Sequence, residues 1–302
     1  MHISSFSPTI VVVGSCSVDL VLNTQHHPGP GETVMALKSE QFFGGKGANQ
    51  AVGTARLGAQ VYLIGSVGSD RQGKEVLESL KREGVDTTHV HVSPDHATGS
   101  AYVSAADGKN AIVVVPAANY DLKTEHIEAA REILQAADLV LLQLEVPMEV
   151  VERTVRICKE LGKKVGIYAA PAMALSPEVV EYASFIVAKS SELSSVFSLP
   201  SSEGLTRMYP NKLFVRDDTN STTYFTGDEM KYFRNDHSDM LHKMGMGDAF
   251  TSGFALAYAH GNSIKDCVKF GNEVSLKVAI NRGSQSGLPY LRDLEVKAEG
   301  ED

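Results

Sequence analysis

The sequence predicts an α/β protein, with a mostly parallel sheet between helices and a small second sheet over one edge. Two observations carry this. Short apolar runs without alternation recur between segments of helical period, the pattern of strands buried on both faces and joined by helices. Two regions then break the rhythm, 33–43 and 99–115, where extended residues are interrupted by turn residues such as Asp107-Gly-Lys-Asn110. Taken in order, strands are expected at 10–14, 61–64, 139–142, 164–168, 184–187 and 213–215. Helices are expected at 47–57, 73–83, 124–136, 148–161, 247–260 and 264–280. A hairpin of 100–105 with 111–115, joined by the extended stretch 33–43, makes the second sheet. Residues 1–302 thus read as one domain, with lid segments at about 15–43 and 97–117 inserted in it. A small open sheet has unpaired edges and a free face that a second copy would cover. The polar stretch 198–210 reads as the least structured part of the C-terminal half.

The composition narrows the function. The chain has 302 residues, 43% hydrophobic and 22% charged, enough for one large domain with an insertion. A net charge of −9 without a long basic run argues against nucleic acid or an anionic membrane as the main partner. No apolar run approaches the roughly 20 residues that span a bilayer. The start, Met1-His-Ile-Ser-Ser-Phe-Ser7, lacks the charged and apolar regions of a signal peptide. Cys16, Cys158 and Cys267 are widely spaced and odd in number, and read as reduced thiols in a cytoplasmic protein.

Four constellations carry chemistry. In Gly245-Met-Gly-Asp248-Ala-Phe-Thr-Ser-Gly-Phe254, two glycines flank Met246 before an acid that opens an apolar helix. A helix start offers unpaired N–H groups and partial positive charge. Glycines there let a phosphate approach the backbone, and Asp248 would be placed to take a proton from an attacking hydroxyl. A glycine turn capped by Asp248 fits the same residues. In Gly44-Gly-Lys-Gly-Ala-Asn-Gln50 two glycines precede Lys46 and a helix follows. The spacing is not that of a Walker A loop. Lys46, Asn49 and Gln50 offer hydrogen-bond partners to a hydroxylated ligand, or form a solvated helix start. Gly14-Ser-Cys-Ser-Val-Asp19 ends the first strand, where ligands of open α/β sheets gather. Asp19 can accept from sugar hydroxyls or cap a turn. Glu145, in Gln143-Leu-Glu145, can bind a hydroxyl, hold a metal through water, or sit at a helix start. No G-x-G-x-x-G turn follows the first strand, which sets aside a dinucleotide-dependent oxidoreductase.

In order and spacing, the segments 44–50, 245–253, 14–19 and 143–145 resemble the ribokinase family, also called the PfkB carbohydrate kinases. Pro30-Gly-Glu-Thr33, Val67-Gly-Ser-Asp70-Arg-Gln-Gly73 and Gly283-Ser-Gln-Ser286 are similar to family segments too, so the resemblance covers nearly the whole chain. The 44–50 loop resembles the ribokinase branch more than the fructokinase or adenosine kinase branches. The resemblance implies a three-layer αβα sandwich with a small β lid that often forms a homodimer. It implies ATP-dependent phosphorylation of D-ribose at its 5-hydroxyl, with Mg²⁺. By position it implies Asp248 as the base, and Gly245 and Gly247 as the anion hole. Ser17, Asp19, Gly45, Lys46, Asn49 and Glu145 match sugar-binding positions, and Asn272, in Phe270-Gly-Asn272, an adenine-pocket position.

The chain departs from the pattern unevenly. On the sugar side, Ser17 replaces an asparagine and Ala117 a glycine. On the nucleotide side, Tyr168-Ala-Ala-Pro171 stands for Asn-Pro-Ala-Pro. Lys189-Ser-Ser-Glu192 stands for the Asn-x-x-Glu motif tied to Mg²⁺ and phosphate, which leaves Glu192 as the metal-linked residue. Arg216-Asp-Asp218 stands for the Thr-x-Gly turn under the nucleotide phosphates, and Asp218 brings negative charge toward an anion. His242-Lys-Met244 stands for Asp-Thr-Thr, and the family's monovalent-cation site uses that aspartate, so His242 puts a K⁺ effect in question. The segment between Glu192 and Leu213 is also short for the family. Two expectations fit. Lys189 and Lys243 neutralise phosphates in place of the missing groups, leaving an altered kinase. Alternatively the chain is a pseudokinase that binds a sugar without phosphorylating it. Another pentose or a nucleoside is the substrate alternative, because of Ser17.

Overall fold

Ile10, Val11, Val12 and Val13 are all fully buried, and they make most of the first strand, β1 (Thr9–Val13). Their side chains alternate between two cores. Ile10 and Val12 face one, and Val11 and Val13 the other. Leu139 and Leu141 against Val140 and Leu142 do the same in β9 (Leu139–Gln143). A sheet buried on both faces needs helices on both, and so the chain forms three layers. The structure is a computed structural model describing residues 6–199, 202–217, 219–234, 244–279 and 284–294.

After β1 the chain forms β2 (Ser17–Asn23), β3 (Lys38–Gly44), α1 (Lys46–Arg56), β4 (Gln60–Gly68) and α2 (Arg71–Arg82). The short β5 (Val85–Asp86) and β6 (Val90–Ser93) both pair with β4, and β7 (Gly99–Ala106) and β8 (Lys109–Val115) follow. Next come α3 (Thr124–Ala129), α4 (Arg131–Ala136), β9, α5 (Met148–Leu161), β10 (Val165–Tyr168), α6 (Pro177–Tyr182) and β11 (Phe185–Lys189). The rest is α7 (Leu193–Phe197), α8 (Ser202–Met208), β12 (Leu213–Arg216), β13 (Thr222–Phe225), β14 (Met230–Phe233), α9 (Met246–Ala259) and α10 (Ile264–Ala279).

The main sheet runs β14-β13-β12-β11-β10-β9-β1-β4-β5. It is parallel from β12 to β5, and the β13–β14 hairpin closes the β12 edge antiparallel. The second sheet runs β3-β2-β7-β8. Its β7–β8 turn places Asp107 and Gly108 at φ 50 and 70, the left-handed pair that a two-residue hairpin demands. Every residue of β8 is exposed, Val113 to 66%.

Several details differ from the sequence expectation. β2 is not among the expected strands: its residues fall in the lid segment 15–43, and 14–19 is expected only as the end of the first strand. The extended stretch 33–43 becomes a strand only at Lys38. The expected helix 124–136 breaks at Ala130, whose own backbone is non-helical, into α3 and α4. The polar stretch expected to lack structure contains α8.

Candidate active site

The strands deliver the site residues by where they stop. Gln143, Tyr168, Lys189 and Arg216 are the last residues of β9, β10, β11 and β12. Register places Tyr168 opposite Gln143 and Lys189 opposite Arg216, so the four line one carboxyl edge. At about 4.8 Å per strand the row spans roughly 14 Å. β1 ends beside them, and the turn after it meets α1 backbone to backbone. A Cβ on Gly47 would lie 2.5 Å from the Gly14 carbonyl carbon, so this crossing needs glycine. Gly45 caps α1 at φ 89, packed on Ser15 and Cys16. A Cβ on Gly44 would lie 2.3 Å from the Asp19 carboxylate. Asn119 holds the same turn, accepting from Cys16 N and donating to its carbonyl, both at 2.8 Å.

Asp248 is the third residue of α9 and only 5% exposed. It does not cap the helix. Asn49 Nδ2 donates to one carboxylate oxygen at 2.9 Å and Gln50 Nε2 to the other at 3.1 Å. Gln50 Oε1 in turn accepts from Gln143 Nε2 at 2.7 Å. The sequence reading offered Asn49 and Gln50 to a ligand; here their amides hold Asp248. Burial raises the Asp248 pKa, against the pull of Lys46 and the two amides. Ala249 is the first residue of α9 whose N–H is bonded back, to Gly245 O at 2.9 Å. The N–H groups of Met246, Gly247 and Asp248 therefore have no acceptor within the helix. Gly245 caps it at φ 77.

Asp19 lies in β2, not at a turn. Ser17 Oγ donates to it at 3.1 Å. Burial, with Glu145 and Asp248 adding, pushes it up to about 6 despite Ser17 and Lys46. Glu145 accepts from Ser15 Oγ at 2.6 Å and from Lys46 N at 3.1 Å, and its other oxygen is 3.3 Å from Lys46 Nζ. Burial alone would disfavour the Lys46 ammonium, but Glu145 and then Asp248 outweigh it, and its pKa rises. Three carboxylates thus share one ammonium.

Farther along the edge, Arg216 is fully enclosed. Its Nη1 donates to Asn272 Oδ1 at 3.0 Å and to Thr222 Oγ1 at 3.2 Å, and its Nη2 to Ser275 Oγ at 3.0 Å. The guanidinium lies 4.2 Å over the Phe250 ring. Burial lowers its pKa to about 10, and no carboxylate among the described residues pairs with it. The resemblance places it in the turn under the nucleotide phosphates; here it ends β12, and its neutral partners hold it beneath α9, where Ser275 Oγ donates to Met246 O at 2.9 Å. Asn272 spends Oδ1 on Arg216 and Thr222 and leaves Nδ2 buried without a partner. Lys189 is half exposed and 4.0 Å from Glu192 Oε1, while Glu192 Oε2 is buried and unpartnered. Asp218, His242, Lys243 and Gly283 lie outside the described residues.

Sequence reasoning missed Ser15 and Gln143 as supports, and Tyr168 as anything but a departure. The sequence puts all three near strand ends, but only the structure shows what each touches. All three cysteines are buried free thiols, as expected.

A parallel sheet with its acids, glycine turns and helix start gathered at one carboxyl edge defines a class of α/β proteins that bind ligands at that edge. The comparisons make it specific. The model for the pfkB family of carbohydrate kinases matches residues 7–291, and the chain belongs to that family. It is 35% identical over 287 residues to a ribokinase of Bacillus subtilis, covering 95% of this chain and 98% of the relative. It is 30% identical over 297 residues to a deoxyribokinase of Salmonella typhi, covering 93% and 96%. The structure of an Arabidopsis thaliana ribokinase complexed with ribose and ATP superposes with a TM-score of 0.83 at 25% identity, covering 95% of this chain and 97% of that one. Among the described residues, no helix is long and apolar enough to cross a membrane.

Proposed function

We propose that the chain is a ribokinase-type ATP:sugar phosphotransferase acting on the 5-hydroxyl of D-ribose. The observation that carries this is Asp248: a buried carboxylate held by two amides, in the first turn of a helix with open N–H groups. In this reading Ser17, Asp19, Gly45, Lys46, Asn49 and Glu145 receive the sugar. Asp248 takes the hydroxyl proton, its raised pKa bringing it nearer to neutrality as a base. The N–H groups at Gly245 and Gly247 receive the phosphoryl oxygens where charge develops. Lys189, Arg216, Gly247 and Asn272 line the nucleotide side, as was expected also of Asp218. The small sheet serves as a lid excluding water, and its exposed β8 as the seam of a homodimer in the cytoplasm.

Mg²⁺ fits the residues present. Glu192 has a buried oxygen with no partner, and this ion needs only one or two carboxylates beside phosphates and waters. No cluster of three or more acidic, histidine or cysteine ligands occurs among the described residues. Bound there, the ion would neutralise phosphate charge. A K⁺ effect stays tied to His242.

The test is ADP release from Mg–ATP that depends on D-ribose. Absence of turnover above that of Asp248→Asn, across pentoses, 2-deoxyribose and nucleosides, overturns the proposal. A second reading, sugar binding without phosphorylation, draws on the Arg216–Asn272 contact, which occupies polar groups on the nucleotide side. It requires thermal stabilisation by ribose and none by Mg–ATP.

A further inference from the structure

Tyr168 carries the strongest feature that the proposed reaction leaves unused. It ends β10, is 5% exposed, and its ring belongs to the core beneath α9. Among the described residues its hydroxyl has no hydrogen-bond partner. That hydroxyl is the nearest atom to a Cβ built on Gly247, at 2.1 Å. Gly247 is thus glycine because the phenol is seated against it, beside the N–H groups with no helical acceptor. The ring is buried while the hydroxyl keeps some accessible surface, so it is open to donate to a group bound at the helix start. Burial raises its pKa, so the oxygen keeps its proton and is a donor. Lys46 and Arg216 lie near enough to act on it electrostatically, as do Asp248 and Glu192. A neutral donor and a helix start thus meet where two cations and two carboxylates offset one another.

We propose that the Tyr168 hydroxyl is a phosphoryl-binding donor, which completes an anion site with the first turn of α9. This rests on the kinase reading above and adds to it a residue of this chain's own. Tyr168 binds the transferred group without taking or giving its proton.

The experiment compares wild type, Tyr168→Phe and Tyr168→Asn. Calorimetry measures inorganic phosphate and D-ribose, and steady-state kinetics measure kcat and KM with Mg–ATP. Losing one hydrogen bond to a charged group predicts phosphate affinity and kcat lower by about 10- to 100-fold in Tyr168→Phe. Ribose affinity should stay within about twofold, and circular dichroism should be unchanged. Tyr168→Asn, which keeps a shorter donor, should fall no less than Tyr168→Phe, because it cannot reach. Phosphate binding unchanged or tighter in Tyr168→Phe overturns the proposal, since the ring then merely fills space or blocks the site. So does wild type that binds no phosphate. Tyr168-dependent phosphate binding without turnover on any sugar leaves this donor standing and removes the kinase reading instead.

Discussion

Replacing Asp19 by asparagine should stabilise the protein while weakening its hold on sugar. Asp19 ordinarily titrates near 3.8 and is pushed up to about 6, with burial the largest cause. At 1.36 kcal/mol per pH unit, this corresponds to about 3 kcal/mol of destabilisation wherever the carboxylate is charged. The sign follows from proton binding. The folded chain holds this proton more tightly than the unfolded chain. The stability it contributes is therefore complete below pH 3.8 and lost as pH rises to about 6. Asparagine removes that loss. It keeps the shape that fits against Gly44, and its oxygen still accepts from Ser17. Its new N–H groups return about 1 kcal/mol if one stays unpaired, leaving a gain of roughly 2–3 kcal/mol at neutral pH. With about 2.1 cal/mol/K per residue over 302 residues, Tm should rise by about 3–5 °C. Scanning calorimetry at steps from pH 4.5 to 8 reads this directly. The gap between variant and wild type should grow up to about pH 6 and then stay level. Ribose affinity should fall at least tenfold, because a charged acceptor is lost. A variant less stable at pH 7.5, or a gap independent of pH, refutes the reasoning.

Three further outcomes are expected. Asp248→Asn should lower kcat by about 10²–10⁴-fold, or roughly 3–5 kcal/mol in barrier. Its fold should survive, since the unpartnered Asn49 Oδ1 can turn to accept from the new amide; a kcat within tenfold of wild type in a coupled ADP assay denies it the role of base. Gly247→Ala places a Cβ 2.1 Å from the Tyr168 hydroxyl and should cost about 1–3 kcal/mol in denaturant unfolding. Adding Tyr168→Phe should recover part of that cost, and strict additivity would mean that the two do not touch. Val113→Lys, on exposed β8, should convert a dimer to a monomer in light scattering at micromolar concentration. A wild type that is already monomeric removes the interface proposal.

What the sequence showed depended on how local the cause was. The strands β1, β4, β9, β10, β11 and β12 were legible because each holds a short, unbroken apolar run buried on both faces. The hairpin Thr222–Phe225 with Met230–Phe233 was not, because threonines, a lysine and partial burial leave no such run. The glycine turns were legible because their backbone dihedrals and close approaches forbid side chains locally. Asp248 was visible as an acid at a helix start, and the alternative that it caps the helix fell away only when its two amide donors appeared. Those donors sit 198 and 199 positions away, a distance no local pattern encodes. Arg216 was misplaced for the same reason. Its tripeptide reads as a turn, but Asn272 and Ser275 of α10 offer neutral acceptors that draw it inside.

The charges left unbalanced at this edge divide it in two. At one end Asp19, Glu145 and Asp248 surround a single ammonium, Lys46. Surplus carboxylate oxygens in a buried space call for neutral donors, and a polyol brings several hydroxyls without adding charge. At the other end Arg216 is enclosed, hydrogen-bonded only to neutral oxygens, with its pKa lowered by burial. Surplus buried positive charge calls for an anion, and Tyr168 and the α9 N–H groups offer it hydrogen bonds between the two ends. A sugar and a polyphosphate are the two ligands that would neutralise these opposite surpluses, with Asp248 at the boundary where the group would pass. The departures from the family pattern therefore change the donors on the phosphate side, where Arg216 keeps a buried charge with no carboxylate bonded to it among the described residues.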